Sequence, residues 1–408
     1  MELVVRTVSG MGFRAEKVGE GTMKRMRALV CLLAVPLLLT AGAPGRSLAA
    51  GGPAGERALC PVVAKGHAHC DASMSVDNSG RPFLSPNPVG FKPADFRSAY
   101  NLPWKTAGKG QTIGIIDAYG YANSETDLGI YRKEFRIPAC TTSNGCFRKT
   151  DQNGGTNYPP DNSEWDVEQA LDTEMVSAVC PNCHILLVEA NDNSWTNLMA
   201  AEQEAITLGA TVISNSWSGT EFSDQLTYDS IFAQAGIPIV ASSGDVGYSG
   251  TVEWPASSQY VTAAGGTQLS KLPHKQWSET AWQWTESGCS QLEAKPVWQT
   301  DQGCKTRTVA DVAADAYHAA VYSSSFPQAG WQPLDGTSVA APIIAGAYAL
   351  AGNGSSVQYG SYPYAHASSL HDITTGSTGT CQPPYLCNGE VGYDAPTGMG
   401  TPNGTGAF

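Results

Sequence analysis

The chain has 408 residues, of which 42% are hydrophobic and 15% charged, enough for one large hydrophobic core or two modest ones. Its formal net charge of −13 at pH 7 argues against nucleic acids and anionic membrane surfaces as partners. This charge suits a protein that works in acid, where many carboxyls are protonated, and it equally suits a protein kept soluble by its charge.

Residues 1–50 predict an N-terminal extension followed by a secretory signal peptide. A basic stretch precedes the apolar run 28–43, which Pro36 interrupts and which is too short to span a membrane. The first 22 residues resemble an upstream extension, and Met23 is the more typical start. No later stretch is apolar enough to cross a bilayer, so we expect a secreted, extracellular protein.

The cysteines favour an oxidising compartment. One of the 11 lies in the signal segment, and the other ten fall into near neighbours along the chain. This pattern predicts five short-range disulfides, paired by proximity alone. A C-x-x-C spacing also occurs in redox sites, but no thioredoxin-like pattern surrounds this one, so a structural role is favoured. The expected pairs are Cys60 and Cys70, Cys140 and Cys146, Cys180 and Cys183, Cys289 and Cys304, and Cys381 and Cys387.

Residues 51–90 are rich in Gly, Pro, Ser and Asn and predict a linker or loosely tied arm, too short for a domain with its own core. Beyond this arm, apolar strands alternate with helices. Strands are predicted at 110–120, 183–190, 210–218, 236–245 and 260–267, and helices at 163–179, 197–209 and around 222–235. This alternation predicts one doubly wound α/β domain, with a mostly parallel sheet flanked by helices. The polar, Trp-rich stretch 270–330 is typical of surface loops around a cleft.

The segment LDGTSVAAPIIAG, residues 334–346, predicts a turn that leads into a buried helix. Ser338 lies at the start of that helix, where backbone N–H groups favour developing negative charge. A serine hydroxyl is a poor nucleophile unless a neighbouring base removes its proton. Ser338 is therefore a candidate nucleophile that needs a base.

The base is not predicted to be histidine. None of the seven histidines lies in a His-Gly-Thr segment that opens a helix, as a subtilisin-type Ser-His-Asp triad would require. The predicted helix 163–179 instead carries Glu168 and Asp172 four residues apart, on one face. A solvated acidic face is the ordinary interpretation of such spacing, which alone does not decide between the two.

A second acid lies at the end of the predicted strand 236–245. Asp245 follows Gly244, at the strand edge where open α/β sheets carry their sites, although a turn-forming aspartate is the alternative. Together these residues allow a catalytic interpretation. Ser338 would pass its proton to Glu168, oriented by Asp172, and a protonated Asp245 would donate to the oxyanion. Such a site would work best in acid.

These residues resemble the sedolisin family of serine-carboxyl peptidases, which have a subtilisin-like fold. The similarity covers most of residues 91–402 and follows the family's order. It is carried by DFRSAYNLP (95–103), W-x-x-E-x-x-L-D (165–172), SNSWS (214–218), SSGDVG (242–247), EWPASSQYVTAAGGT (253–267), DVAADA (311–316) and DGTSVAAP (335–342). The last motif alone would fit subtilisins equally. The resemblance implies the catalytic roles given above for the four residues.

The resemblance also implies a structural calcium ion near the C-terminus. HDITTG (371–376) and VGYDAPTGMG (391–400) are similar to the family's calcium segment. The implied ligands are carboxylates of Asp372 and Asp394 and carbonyls near Ile373, Glu390 and Gly392, an all-oxygen shell of the kind that calcium prefers. Two turn aspartates are the alternative.

Two further residues are implied to support the catalytic acids. Asp117 occupies the position where relatives carry an acid hydrogen-bonded toward the pair, and Trp217 lies in the SNSWS motif. Asp117 could equally be a strand-end cap or a counterpart of the subtilisin-type aspartate.

The organisation expected from the sequence is an extension and signal at 1–50, a short arm at 51–90 without a full prosegment, and a catalytic domain at 91–408. Relatives carry a long folded prosegment, so the short arm is a departure. The leading hypothesis is a secreted, monomeric endopeptidase that hydrolyses proteins or peptides in acid through an acyl-enzyme. The alternatives are a noncatalytic binding protein on the same scaffold and a Ser-His hydrolase of subtilisin type.

Overall fold

The computed structural model describes residues 55–408 apart from 62, 64, 78, 326 and 328. The predicted extension and signal peptide lie outside the described residues. The helices are α1 (Pro93–Ala99), α2 (Ser124–Glu134), α3 (Ser163–Val179), α4 (Trp195–Thr207), α5 (Asp229–Phe232), α6 (Thr337–Ala351) and α7 (Ser361–Ala365). The strands are β1 (Glu56–Ala58), β2 (His69–Cys70), β3 (Ser73–Ser75), β4 (Thr112–Ala118), β5 (Phe147–Asp151), β6 (His184–Ala190), β7 (Val212–Asn215), β8 (Trp217–Thr220), β9 (Ile239–Ser242), β10 (Tyr248–Gly250), β11 (Glu253–Trp254), β12 (Thr262–Lys271), β13 (Trp277–Ala281), β14 (Ser287–Ala294), β15 (Thr306–Val309), β16 (Val312–Asp315), β17 (Ala319–Ser323), β18 (Gly330–Asp335), β19 (Leu370–His371) and β20 (Thr401–Pro402).

The central sheet has eight strands, and its order is β13-β12-β9-β7-β4-β6-β5, with β16 also paired to β12. Every pair in it is parallel except β12 with β13. Strands β4, β6, β7 and β9 are almost wholly buried runs of apolar residues, because helices cover the sheet. Helices α3 and α6 pack on each other and on the sheet, and α4 packs on β4 and β6. The predicted doubly wound α/β fold is confirmed.

The carboxyl ends of the central strands converge on one edge of the sheet. Strand β4 ends just after Asp117, β7 ends at Asn215 and β9 ends at Ser242. Register places Ile116 opposite Asn215, and Asn215 opposite Ala241. Open α/β sheets bind ligands at such an edge, so the fold places these three strand ends beside the candidate nucleophile.

Two predictions about secondary structure are wrong. The helix expected around 222–235 is reduced to α5 and one 3-10 turn, Gln225–Thr227. The stretch 270–330, expected to be surface loops, contains β13 to β17. Strands β13 to β15 carry polar residues on their inward faces and lack the apolar pattern that marks the central strands, whereas β16 and β17 are largely apolar.

The arm is not loosely tied. Strand β3 pairs with β18, the strand that leads into the nucleophile turn, and β2 pairs with β8. The buried residues of the arm include Ala68, Cys70, Asp71, Ala72 and Met74. Through these contacts, residues 67–76 pack as an integral part of the folded domain.

The structure links all ten cysteines beyond the signal segment in the five neighbouring pairs expected from their spacing. Among the described residues, no helix is long and apolar enough to cross a membrane.

Candidate active site

Ser338 lies in the first turn of α6, buried at the centre of the molecule. The turn before it requires Gly336, whose φ of 134° is a conformation that other residues rarely adopt. A side chain there would also overlap the carbonyl oxygen of Asp71. The Ser338 hydroxyl donates to the Ser216 carbonyl at 3.1 Å, and the Ser338 N–H donates to the Asp71 carbonyl at 3.0 Å.

Three fully buried carboxyls lie beside this serine. Helix α3 supplies Glu168 and Asp172 on one face, and β4 supplies Asp117. Burial raises the pKa of Glu168 well above its usual range, and the Asp172 and Asp117 carboxyls raise it further, while Ser338 opposes the shift. No hydrogen bond of ordinary geometry joins Glu168 to Ser338 or to another described residue. The Glu168 carboxyl is therefore close enough to Ser338 for the serine to affect its pKa, although the two groups form no hydrogen bond of ordinary geometry.

The pKa values of Asp172 and Asp117 are also raised. Burial raises the pKa of Asp172, although the Ser216 hydroxyl donates to its Oδ1 at 2.7 Å and favours the ionised form. Burial also raises the pKa of Asp117, and the charges of Asp172 and Glu189 add to this shift. Mutually repelling carboxyls in a dry site cannot all ionise together, so the cluster retains protons well above the usual range of carboxyls.

Asp245 lies on the other side of the nucleophile turn. Its Oδ1 accepts from the Thr337 N–H at 2.8 Å and from the Thr337 hydroxyl at 2.9 Å. Its Oδ2 would lie 2.7 Å from a Cβ atom on Gly336, the same atom that would overlap the Asp71 carbonyl oxygen. Asp245 Oδ2 and the Asp71 carbonyl oxygen therefore lie on the same side of Gly336.

Trp217 supports the edge of the sheet rather than the acids directly. Its indole N–H donates to the Ile116 carbonyl at 2.8 Å, which ties the start of β8 to the end of β4. Asp117 follows Ile116, so this bond helps to hold the strand end that carries the third carboxyl.

The sequence did not predict that Asp71 would enter this site. Its N–H donates to the Ser216 carbonyl at 3.3 Å, and its carboxyl accepts from the hydroxyls of Ser218 and Ser242, each at 2.6 Å. A short polar stretch in a Gly- and Ser-rich arm carries no periodic pattern that would have indicated such an interaction.

The expected calcium ligands lie together near the C-terminus. The Gly392 N–H donates to Asp372 Oδ2 at 3.0 Å, and the Glu390 N–H donates to Asp394 Oδ2 at 2.9 Å. A Cβ on Gly389, the residue before Glu390, would lie 3.0 Å from the Ile373 carbonyl oxygen. Burial raises the pKa of Asp394 to about 7, and the neighbouring Asp372 adds to the shift. Among the described residues, neither aspartate has a cationic side chain as an ion-pair partner. These donors are all oxygen atoms, and the set fits a hard cation.

Comparison with known proteins identifies the family. A model of the subtilase family matches residues 154–378, more than half of the chain. The chain belongs to the subtilase family. This subtilase is 28% identical over 357 residues to kumamolisin of Bacillus sp. (strain MN-32), a match that covers 78% of this chain and 63% of kumamolisin. It is 27% identical over 362 residues to sedolisin of Pseudomonas sp. (strain 101), covering 76% of this chain and 60% of sedolisin.

The fold comparison agrees with these relatives. The solved structure of Pseudomonas sedolisin, a serine-carboxyl proteinase complexed with pseudo-iodotyrostatin, superposes with a TM-score of 0.66 at 26% identity. The superposition covers 78% of this subtilase and 96% of the sedolisin chain. The recognition of the sedolisin family and of a subtilisin-like fold is confirmed. This subtilase spans about three fifths of the length of the two curated relatives.

Proposed function

We propose that this subtilase is a secreted serine-carboxyl endopeptidase that hydrolyses peptide bonds of proteins in acid. Ser338 is the nucleophile, Glu168 the general base, Asp172 its positioning partner and Asp245 the oxyanion donor. The five disulfides support export to an oxidising compartment.

The observation that carries the proposal is the set of buried carboxyls beside Ser338. A base is most effective when its pKa lies near the working pH, and burial together with Asp172 raises the pKa of Glu168 out of its usual range. Structural ion pairs have the opposite effect on carboxyls, because a cationic partner lowers their pKa. The arrangement is costly for stability and therefore favours a catalytic role.

The proposed reaction runs through an acyl-enzyme. Glu168 accepts the Ser338 proton as Oγ attacks the carbonyl carbon, and the oxyanion is stabilised by the Ser338 N–H and by Asp245 in its protonated form. Glu168 then returns the proton to the leaving amine as the C–N bond breaks. Water next attacks the ester with Glu168 again as base, releasing the acid and restoring Ser338. The charge of Asp117 contributes to the raised pKa of Glu168.

Residues 372–394 are proposed to bind one structural calcium ion. The carboxylates of Asp372 and Asp394 and the carbonyls of Ile373, Glu390 and Gly392 would hold it. The ion would neutralise two neighbouring aspartates that have no cationic partner among the described residues. No step of the reaction depends on it.

The test is hydrolysis of a denatured protein from pH 3 to 8 in the presence of calcium. Ser338→Ala and Glu168→Gln should each lower the rate by roughly 10³-fold or more. Glu174→Gln is the matched control, because Glu174 is another fully buried glutamate on α3, and its carboxyl accepts the Tyr322 N–H at 2.9 Å.

The outcomes separate the hypotheses. Activity confined to acid and lost in the first two variants would support the proposal. Activity at neutral pH that survives Glu168→Gln would favour a Ser-His hydrolase. Folded protein without activity at any pH would favour a noncatalytic binding protein.

A further inference from the structure

Residues 69–71 of this chain lie extended beside Ser338. Strand β2 of the arm runs antiparallel to β8, with His69 opposite Ser218 and Cys70 opposite Trp217. An extended peptide that adds a strand to a protein edge is a common mode of peptide recognition, in which main-chain bonds give affinity and side-chain pockets give specificity. The arm therefore lies across the site as a bound peptide would.

The register of this peptide places one carbonyl group at the nucleophile. The Asp71 carbonyl oxygen accepts from the Ser338 N–H at 3.0 Å, and the Asp71 N–H donates to the Ser216 carbonyl at 3.3 Å. Asp245 Oδ2 lies against Gly336 from the same side as that carbonyl oxygen. A backbone N–H that donates to a carbonyl oxygen next to a serine is the contact expected for the acyl group of a bound substrate.

Two side chains of this segment, those of Asp71 and His69, lie among polar side chains. The Asp71 carboxyl is 1% exposed and accepts from the Ser218 and Ser242 hydroxyls, each at 2.6 Å. His69, two residues earlier, lies 3.3 Å from Glu253 through Nε2 and 3.4 Å from Asp71 through Nδ1. Burial opposes a charge on His69, but Glu253 and Asp71 together raise its pKa well above the usual value.

The pocket around Asp71 is suited to a short acidic side chain. The Ser242 hydroxyl donates to the Asp71 carboxyl, the Ser218 hydroxyl lies between that carboxyl and Glu253, and the charge on Glu253 is matched by His69. Glu286 is also buried near this pocket, and burial together with the charges of Glu253 and Asp71 raises its pKa well above its usual range.

Resting on the proposed function, we propose that residues 69–72 are this enzyme's own substrate. The bond cleaved is Asp71–Ala72, and the preferred class of substrate is a peptide with aspartate on the acyl side of the cut and histidine two residues before it. Ser338 attacks the Asp71 carbonyl carbon, Ala72 leaves as a free amine with the proton that Glu168 returns, and water releases an Asp71 carboxylate.

Cleavage there would open the cleft. With the arm in place Ser338 is fully buried, so no other peptide reaches it. The Cys60–Cys70 disulfide lies wholly on the amino-terminal side of the bond and does not tie the fragment to the rest of the chain. After cleavage, the described contacts that hold the fragment include the pairing of β1 with β3 and of β2 with β8, and both are noncovalent.

The first experiment follows the full chain by intact mass and N-terminal sequencing after a shift from pH 7.5 to pH 4. We expect a new N-terminus at Ala72, formed at a rate independent of protein concentration, and no such product from Ser338→Ala. Hydrolysis of a denatured protein is measured in the same samples. Protein hydrolysis without a cut after Asp71 overturns this inference and leaves the proposed function standing. Loss of both activities in folded protein refutes the proposed function itself.

The second experiment uses a synthetic peptide of residues 66–75 with Cys70→Ser, and the same peptide carrying Asp71→Leu. The processed enzyme should prefer the aspartate peptide by about tenfold or more in kcat/KM, because the leucine accepts no hydrogen bond from the two serines. Ser218→Ala and Ser242→Ala in the enzyme should each reduce that ratio. Ser249→Ala, an exposed serine on β10, is the control and should leave it unchanged. Equal kcat/KM for the two peptides would overturn the assignment of specificity.

Discussion

Replacement of Glu202 by glutamine should remove one distinct contribution to the pH dependence of stability. Glu202 lies on α4 and is fully buried, and burial raises its pKa to about 8, although Asn215 opposes the shift. In the unfolded chain this carboxyl titrates near 4.5. A difference of this size corresponds to about 5 kcal/mol, at about 1.4 kcal/mol per pKa unit.

The sign of this effect follows from the pH at which the folded chain and the unfolded chain each release the Glu202 proton. Below pH 4.5 both states hold the proton, and the group adds no pH dependence. As the pH rises toward 8 the unfolded chain ionises first, so the free energy of unfolding of the wild type falls by up to about 5 kcal/mol. Glu202→Gln cannot ionise and lacks this contribution.

The assay is urea denaturation at pH 4, 6 and 8.5 with calcium present, in a Ser338→Ala background that prevents self-digestion. The variant should lose about 5 kcal/mol less than its parent between the lowest and highest pH. Glu204→Gln, a half-buried glutamate on the same helix, serves as the control and should follow the parent. Parallel pH curves for the parent and Glu202→Gln would refute the reasoning.

Three further predictions concern the site and its supports. Chelation of calcium should lower Tm by several degrees in the wild type, with no further change in Asp394→Asn; an identical Tm with and without chelator would contradict the ion site. Asp117→Asn should move the acid limb of the kcat/KM profile to lower pH, because Asp117 contributes to the raised pKa of Glu168; a profile that keeps its position would show that the two carboxyls do not interact. The double variant Cys60→Ser and Cys70→Ser should reduce the free energy of unfolding of the uncut chain by about 3 kcal/mol, measured by urea denaturation in a Ser338→Ala background, because a closed loop of ten residues is lost; unchanged stability would mean that the loop is already restricted in the unfolded chain.

Much of the fold was predictable because local pattern and burial coincide there. Strands β4, β6 and β9 are continuous apolar runs, and helix α3 lies where the sequence predicted it, at Ser163–Val179. Strands β13 to β15 were missed, because their inward faces carry polar residues that pair with other buried polar groups. Helix propensity around 222–235 was overridden by packing of Phe232 and Phe222 on Trp254.

The sequence by itself determined the elements of the site: a serine at a helix start, two acids one helical turn apart, an aspartate at a strand end and cysteines in neighbouring pairs. These are local features, because helical and strand periodicity set which side chains share a face. Only the tertiary structure decided that the two acids are buried with Asp117, and so have raised pKa values, because burial depends on what packs against them. It alone also placed Asp71 against Ser338, since the pairing of β2 with β8 joins residues that lie far apart in the chain and carry no pattern of their own.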